Sequence, residues 1–459
     1  MEHRRIAEDE IELLPFENNE TDDNESERIV LKPSPWYIII PMFTITFAYG
    51  YTELIMVPIY DVLTTIFCYK YYKEQSTNGS DIPQEQCHIP EIQSMISNYF
   101  VLNMLLSYTV TLLMANYYGG LSDRKGRRIV MKISMVGGII TFTSAVFILK
   151  FYTMVNAYAL LITPIIRGLL ANETILFSTA NAYLSDCTTA ENRTLAFGRM
   201  MAAIHLGSTL GPFFSSFLIK QTGTIVSIFY LAILIHICFL LYIIFVLPES
   251  NDISEYKEKP KQTILQRMNI FSAFGIFYRT SSKNANRWAL LFLAIIHFMT
   301  TMFEATPTML YAMLRFGWTS YEGGFFTSAR SFTSLLVLLA VLPIISKLFH
   351  KLTSKKQYEI CLDSSIGYKK ETFQMITLDI GLTRAGFIIN TIAFVAFGLV
   401  ATPTAFTMAA ILQALSSVAS PSFRSLMTAL VDPSQLGELW GAITVVETCS
   451  MPPFPACLT

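Results

Sequence analysis

Between two long apolar stretches the chain runs Gly119-Gly120-Leu121-Ser122-Asp123-Arg124-Lys125-Gly126-Arg127-Arg128. A glycine-containing turn with one acid and four bases cannot lie in hydrocarbon, where backbone polar groups must be satisfied internally and charges are costly. It is therefore a short loop at a membrane surface, and the apolar stretches beside it are spanning helices.

Composition agrees. Charged residues make up 15% of the chain and apolar residues 52%, whereas an average soluble domain is about 25% charged. The net charge of −1 selects no partner. The seven cysteines show neither zinc spacing nor a disulfide framework, and no metal site is expected. Residues 1–35 are polar and mostly acidic, without the apolar core of a secretory signal. They read as a disordered cytosolic tail, with the first span acting as the targeting signal. Within that tail, Asp9-Glu10-Ile11-Glu12-Leu13-Leu14 fits an acidic dileucine sorting pattern.

A helix needs about 20 apolar residues to cross the hydrocarbon core. Candidate spans fall near 36–60, 98–118, 129–151, 156–182 and 199–219, with a sixth ending at Phe245. A second set falls near 287–313, 324–345, 380–400 and 404–430, with a shortened start at Leu439. Between the sets, 248–286 is a polar linker carrying Lys257, Lys259, Lys261, Arg267, Arg279 and Lys283. The domain plan is thus a tail (1–35), a six-helix bundle (36–247), a cytosolic linker (248–286) and an incomplete second bundle (287–459). Thr448-Cys449-Ser450-Met451-Pro452-Pro453-Phe454-Pro455 cannot continue a lipid-exposed helix. The eleventh helix is accordingly expected to be cut and the twelfth missing.

Lys and Arg concentrate around Arg124–Arg128, in the linker and between Lys347 and Lys370. The positive-inside rule then puts the amino terminus in the cytosol. The loop after the first span faces outward and carries Asn78-Gly79-Ser80, a glycosylation acceptor in an accessible place. Cys68 and Cys87 share or border that loop, either as a disulfide or as two free thiols.

The loop fits G-x-L-x-D-R-x-G-R-R and resembles the signature between helices 2 and 3 of the major facilitator superfamily. Four further elements carry the resemblance: Arg167-Gly168 in the fourth span, Tyr183-Leu184-Ser185-Asp186 after it, Gly207-Ser208-Thr209-Leu210-Gly211-Pro212 in the fifth, and Leu247-Pro248-Glu249-Ser250 after the sixth. Asp432 to Gly441 echoes Asp186 to Gly198, as a duplicated six-helix unit would. The resemblance implies an all-α, polytopic 6+6 helix bundle. It also implies that Asp123, Arg124 and Arg127, with Gly119, Gly126 and Arg128 around them, latch the two halves on the cytosolic side. Asp123 would then sit near the positive end of a helix in the opposing half. Gly207, Gly211 and Pro212 read either as a bend used in gating or as ordinary small-residue packing.

Ionisable residues inside spans are functional candidates because burying them is expensive. Glu53, Arg167, Glu173, His297 and Glu304 all fall on spans that line the cavity in this family. His297 and Glu304 are seven residues apart, hence on one face. Arg330 in the eighth span is expected to pair with Glu304. Glu304, His297 and Glu53 are the proton-coupling candidates, while His205 and His236 read as structural.

The expected function is alternating-access transport of a small organic solute, coupled to protons. The Gly207–Pro212 element resembles drug:proton antiporters. Cys87-His88-Ile89-Pro90-Glu91-Ile92-Gln93 and the Gly437 to Glu447 stretch resemble the branch near proton-coupled folate transporters, where Arg167 and Arg330 could hold an anion. The competing reading is a non-transporting membrane sensor or an inactive truncated isoform. No nucleophile, metal or nucleotide constellation suggests an enzyme. No cofactor is expected beyond the proton gradient. Partners are the solute, protons and the bilayer, with no nucleic acid and no obligate protein, and the location is a vacuolar, endosomal or plasma membrane.

Overall fold

A polypeptide this apolar satisfies its backbone in lipid by forming helices. The computed structural model describes residues 33–53, 63–64, 66–72, 89–151, 157–224, 226–251, 270–279, 288–304, 308–318, 320–357 and 364–450, and among these there is no strand. In chain order the helices are α1 (Trp36–Glu53), α2 (Pro90–Lys125), α3 (Arg127–Lys150), α4 (Ile162–Leu169), α5 (Glu173–Asp186), α6 (Ala190–Thr222) and α7 (Val226–Phe245). There follow α8 (Ile270–Arg279), α9 (Ala289–Glu304), α10 (Thr308–Phe316), α11 (Ser320–Leu336), α12 (Leu342–Gln357), α13 (Ser364–Leu399), α14 (Pro403–Leu415), α15 (Ala419–Ala429) and α16 (Leu436–Ser450). Seven of the helical stretches described are long and apolar enough to cross a membrane. Large side chains such as Phe245 (79% exposed) and Leu399 (80% exposed) point away from the protein, as lipid permits and water does not.

Within the N-terminal set, α1 packs along α6, and α3 along α7. Within the C-terminal set, α13 packs against α14 and α15. Two seams join the sets: α2 and α5 against α16, and α6 against α11 and α15. One apolar cluster, including Ile38, Met131, Tyr183, Phe197, Met427 and Trp440, draws on both sets, while α6 and α11 meet in a second one through Ala202 and Leu335. The core therefore runs across the junction between the sets.

The structure departs from the expected spans in several places. The Gly119–Arg128 run, expected as a loop, is helical on both sides of a one-residue turn at Gly126, since α2 continues to Lys125 and α3 starts at Arg127. The helix α6 starts at Ala190 and not near 199, and α13 at Ser364 and not near 380. The second helix starts at Pro90 rather than near 98, since proline at its first position needs no backbone donor there. The fourth span breaks at Leu170-Ala171-Asn172, where Ala171 takes φ +54°. Inside the expected linker, α8 buries Ile276 and Phe277, because Ile270–Arg279 is an apolar run within a polar segment. The eleventh helix forms as α16 from Leu436 through Ser450. The expected chain end falls on 451–459, the tail on 1–32, Asn78 on 73–88, and most of the linker on 252–269 and 280–287, all outside the described residues.

Candidate functional site

At the end of the bundle bearing the Gly119–Arg128 run, Gly126 makes the turn from α2 to α3 with φ +94°, a conformation suited to glycine. A Cβ there would strike the Glu249 carboxylate, which accepts from the backbone N–H of Arg127 (2.8 Å) and Arg128 (3.2 Å). Glu249 thus satisfies orphan donors at the start of α3. Arg128 Nη2 does the reverse for α7, donating to the carbonyls of Ile243 (2.8 Å) and Ile244 (3.0 Å). Arg127 is fully buried. Its Nη1 meets Asp123 Oδ1 at 2.5 Å and Ser122 Oγ at 3.0 Å, and its Nε meets Asp186 Oδ2 at 2.9 Å. One guanidinium with two carboxylates is how a buried charge becomes tolerable. Arg124 Nε donates within its own helix to Gly120 O (2.8 Å).

Asp123 also reaches across to the other set. Its Oδ1 accepts from Gly437 N and its Oδ2 from Glu438 N, both at 2.7 Å. These are donors in the first turn of α16, so the carboxylate sits on that helix's positive end. The contact needs backbones to approach closely. A Cβ on Gly119 would collide with the carbonyl of Gly437, and one on Gly437 would lie 2.5 Å from Arg127 Nη1. Gly441 likewise faces Ala115 O and Gly119 Cα. Phe197 and Trp440 pack beside this crossing with centroids 5.9 Å apart.

Two further polar bridges join the sets away from Asp123. Thr194 on α6 donates to Asp379 on α13, with Oδ1 at 2.7 Å and Oδ2 at 2.9 Å, and both residues are buried. Ser185 and Thr428 hydroxyls lie 3.4 Å apart between α5 and α15. Gly207 and Gly211 are buried within α6, which runs unbroken from Ala190 to Thr222 through Pro212.

Farther along the bundle a cavity of about 370 Å³ opens between the sets. Glu447 is ten residues beyond Gly437 on α16, about 15 Å along the axis. Glu447 Oε1 lies 2.9 Å from His297 Nε2 and 3.9 Å from Arg424 Nη2. Arg424 also rests over the Trp440 ring at 5.4 Å, and His297 stacks on Phe423 at 5.6 Å. His297, Phe423, Arg424 and Glu447 form the C-terminal wall.

The opposite wall is built by the break after α4. Asn172 caps α5 by accepting from Ile175 N (3.2 Å), and its amide donates to Thr111 Oγ1 (2.6 Å). The cap starts α5 at Glu173, which faces the cavity. Arg167 Nε meets Glu173 Oε2 at 3.3 Å, while its Nη1 binds the carbonyls of Ser134 (2.9 Å) and Ala171 (3.2 Å). A left-handed alanine costs about 1–2 kcal/mol. It is found where it frees the Ala171 carbonyl for that arginine.

Of the ionisable candidates, the structure brings Glu173 and His297 to this cavity, with Arg167 buried behind Glu173. The side chains of Glu53 and Glu304 lie outside the described residues, and so does the expected Glu304–Arg330 pair. Arg330 lies on α11. His236 is buried against Gly138 and Phe142, with Nδ1 2.7 Å from Ala232 O. Cys68 is disulfide-bonded, while Cys87 lies outside the described residues. Among the described residues no cluster suited to a metal occurs.

Sequence reasoning missed Glu447, Arg424 and Asp379. Arg424 and Asp379 carry the signal used for the others, an ionisable group inside or beside an apolar span. Glu447 stands at the edge of a helix expected to be cut short.

The model for the Major Facilitator Superfamily matches residues 36–451. The chain belongs to this superfamily. It is 24% identical to an uncharacterised membrane protein of Schizosaccharomyces pombe, C14C4.07, across 91% of this chain and 72% of that protein. It is 23% identical to the MFS-type transporter avaJ of Aspergillus versicolor, across 91% of this chain and 81% of that one. Among solved structures, the human organic anion transporter MFSD10 superposes with a TM-score of 0.66 at 14% identity, covering 92% of both chains. The protein thus has the superfamily's all-helical fold and is an integral, multi-pass membrane transporter of small solutes.

Proposed function

We propose that the protein moves a small organic solute by alternating access, driven by protons bound at the His297–Glu447 pair. The observation that carries this reading is the pair itself: a carboxylate and an imidazole 2.9 Å apart on the wall of a cavity between the two sets. Imidazole titrates near neutrality, and a carboxylate in hydrogen-bond contact with it can hand it a proton or take one back. Arg424 at 3.9 Å sets a fixed positive charge beside the pair, so proton arrival changes the charge facing the solute.

Asp123, Gly119, Gly437 and Gly441 hold the sets together at one end, which in this reading faces the cytosol, the charge distribution supporting it. In this reading the conformation is shut at the cytosolic end and opens outward. Release of the first turn of α16 from Asp123 opens the cytosolic path. Arg127, Asp186 and Glu249 stay within the N-terminal set and keep Asp123 aimed. Because α16 bears both the latch contact and Glu447, movement of one rigid helix links proton occupancy to opening.

The test is uptake and efflux by the full-length protein in proteoliposomes under an imposed pH gradient. Gradient-driven flux in wild type, abolished in Glu447→Gln, is the expected result. Flux that ignores the gradient in both proteins would remove proton coupling while leaving the carrier.

A further inference from the structure

The hydroxyl groups around the cavity are not neutral lining, because several have already committed their protons. Thr300 donates to Ile296 O at 2.9 Å and Thr301 to His297 O at 2.8 Å. Ser416 donates to Gln413 O and Thr448 to Thr444 O, both at 2.7 Å. A hydroxyl has one proton and two lone pairs. With the proton turned to its own helix, each of the four presents only an acceptor to the cavity they line. The carboxylates of Glu173 and Glu447 add further acceptors.

Charge is balanced at the same site. Glu173 has Arg167 at 3.3 Å, and Glu447 has His297 at 2.9 Å and Arg424 at 3.9 Å. A solute with a net charge would enter a place whose charges already hold counter-charges, losing its own hydration without a dedicated partner. A lipophilic solute would strip water from the hydroxyls and carboxylates and replace it with nothing. Tyr108 and Phe387 supply apolar ring surface between the polar groups. A cavity of about 370 Å³ lies at the lower end of the roughly 300–1,000 Å³ range of small-molecule sites.

Resting on the transporter reading, we infer that the solute is a small, uncharged molecule rich in hydrogen-bond donors, a polyol or sugar-like compound. Its hydroxyl protons meet the acceptor row of Thr300, Thr301, Ser416 and Thr448. Its apolar C–H faces lie against Tyr108 and Phe387.

Thermal stabilisation of the purified full-length protein in lipid nanodiscs tests this with three probe sets. They are sorbitol, glucose and myo-inositol; benzoate and citrate; and tetraphenylphosphonium. Saturable stabilisation by at least one polyol or sugar, and by neither the anions nor the cation, is expected. Thr300→Val and Thr301→Val keep the side-chain shape and remove one acceptor each, and should weaken that binding about tenfold. If either variant fails to fold, the wild-type panel still decides. Stabilisation by the anions or by tetraphenylphosphonium in place of the polyols overturns the solute class and leaves the carrier standing. Absence of binding and of proteoliposome flux for every probe overturns both.

Discussion

His297 Nε2 and Glu447 Oε1 are 2.9 Å apart, although 150 residues separate them in the sequence. The contact joins α9 to α16 at the level of the cavity, and Arg424 on α15 closes the group. Three helices of the C-terminal set therefore share one ionisable cluster. Its protonation state bears on all of them.

Glu447→Gln keeps a hydrogen bond to His297 but fixes the charge. Gradient-driven accumulation should fall to background, while solute exchange at equal pH on both sides should survive within about threefold. Parallel counterflow and accumulation assays in proteoliposomes read the two. Equal loss of both would assign Glu447 to solute binding instead of coupling.

Asp123→Asn should loosen the junction at the loop end. An amide oxygen can satisfy one of the two α16 donors, leaving an N–H₂ against the other. Charge-assisted bonds of this kind are each worth about 1.5–3 kcal/mol. The expected sign is faster labelling of a cysteine introduced at Ser185, buried on α5 at the junction between the sets, by a hydrophilic maleimide. An unchanged labelling rate would count against Asp123 as a latch.

Gly437→Ala tests the close approach separately from the charge. The added methyl meets Arg127 Nη1 and the Gly119 carbonyl, both of which are held in place. Overpacking of this kind costs about 1–3 kcal/mol. The variant should show the same increase in labelling as Asp123→Asn, and the double mutant less than the sum of the two, since both act on one contact.

Asn172→Ala removes the cap of α5 and the bond to Thr111. Loss of a cap costs about 0.5–2 kcal/mol. The melting temperature in nanodiscs should drop. Asn172→Asp, which keeps the capping oxygen, should recover part of the loss. Equal melting of both variants and wild type would show that the cap contributes nothing.

The Thr194–Asp379 bridge should behave independently of the Asp123 contact. Thr194→Val deletes the donor to both oxygens of Asp379 and leaves a buried carboxylate short of a partner. A lowered melting temperature is expected, additive with Asp123→Asn, because the two contacts join different helix pairs. A strongly non-additive pair would show that the two contacts open as one unit.

The charged run, the apolar spans and the motif after the sixth helix are local patterns, legible in the residues, and hydropathy finds most of the helices but not all of their ends or breaks. The break at Ala171 is hidden because Leu170-Ala171-Asn172 contains no glycine or proline to announce it, and only the cap at Asn172 hints at a new start. Glu447 is obscured by the prolines beyond it, which point to the end of the helix and not to its interior. Arg424 hides among the small residues of its span, though it meets the criterion applied to Arg167.

Hydrocarbon imposes length, apolarity and charge placement on every span separately, so the residues alone specify a helical membrane protein, and the major facilitator type enters through the resemblance of its motifs. Which polar groups meet is settled only once the helices pack. Asp123 finds Gly437 across 314 residues, and Thr194 finds Asp379 across 185. Those meetings depend on how helices cross and how closely their backbones approach. That geometry is a property of packed pairs, and no single span encodes it.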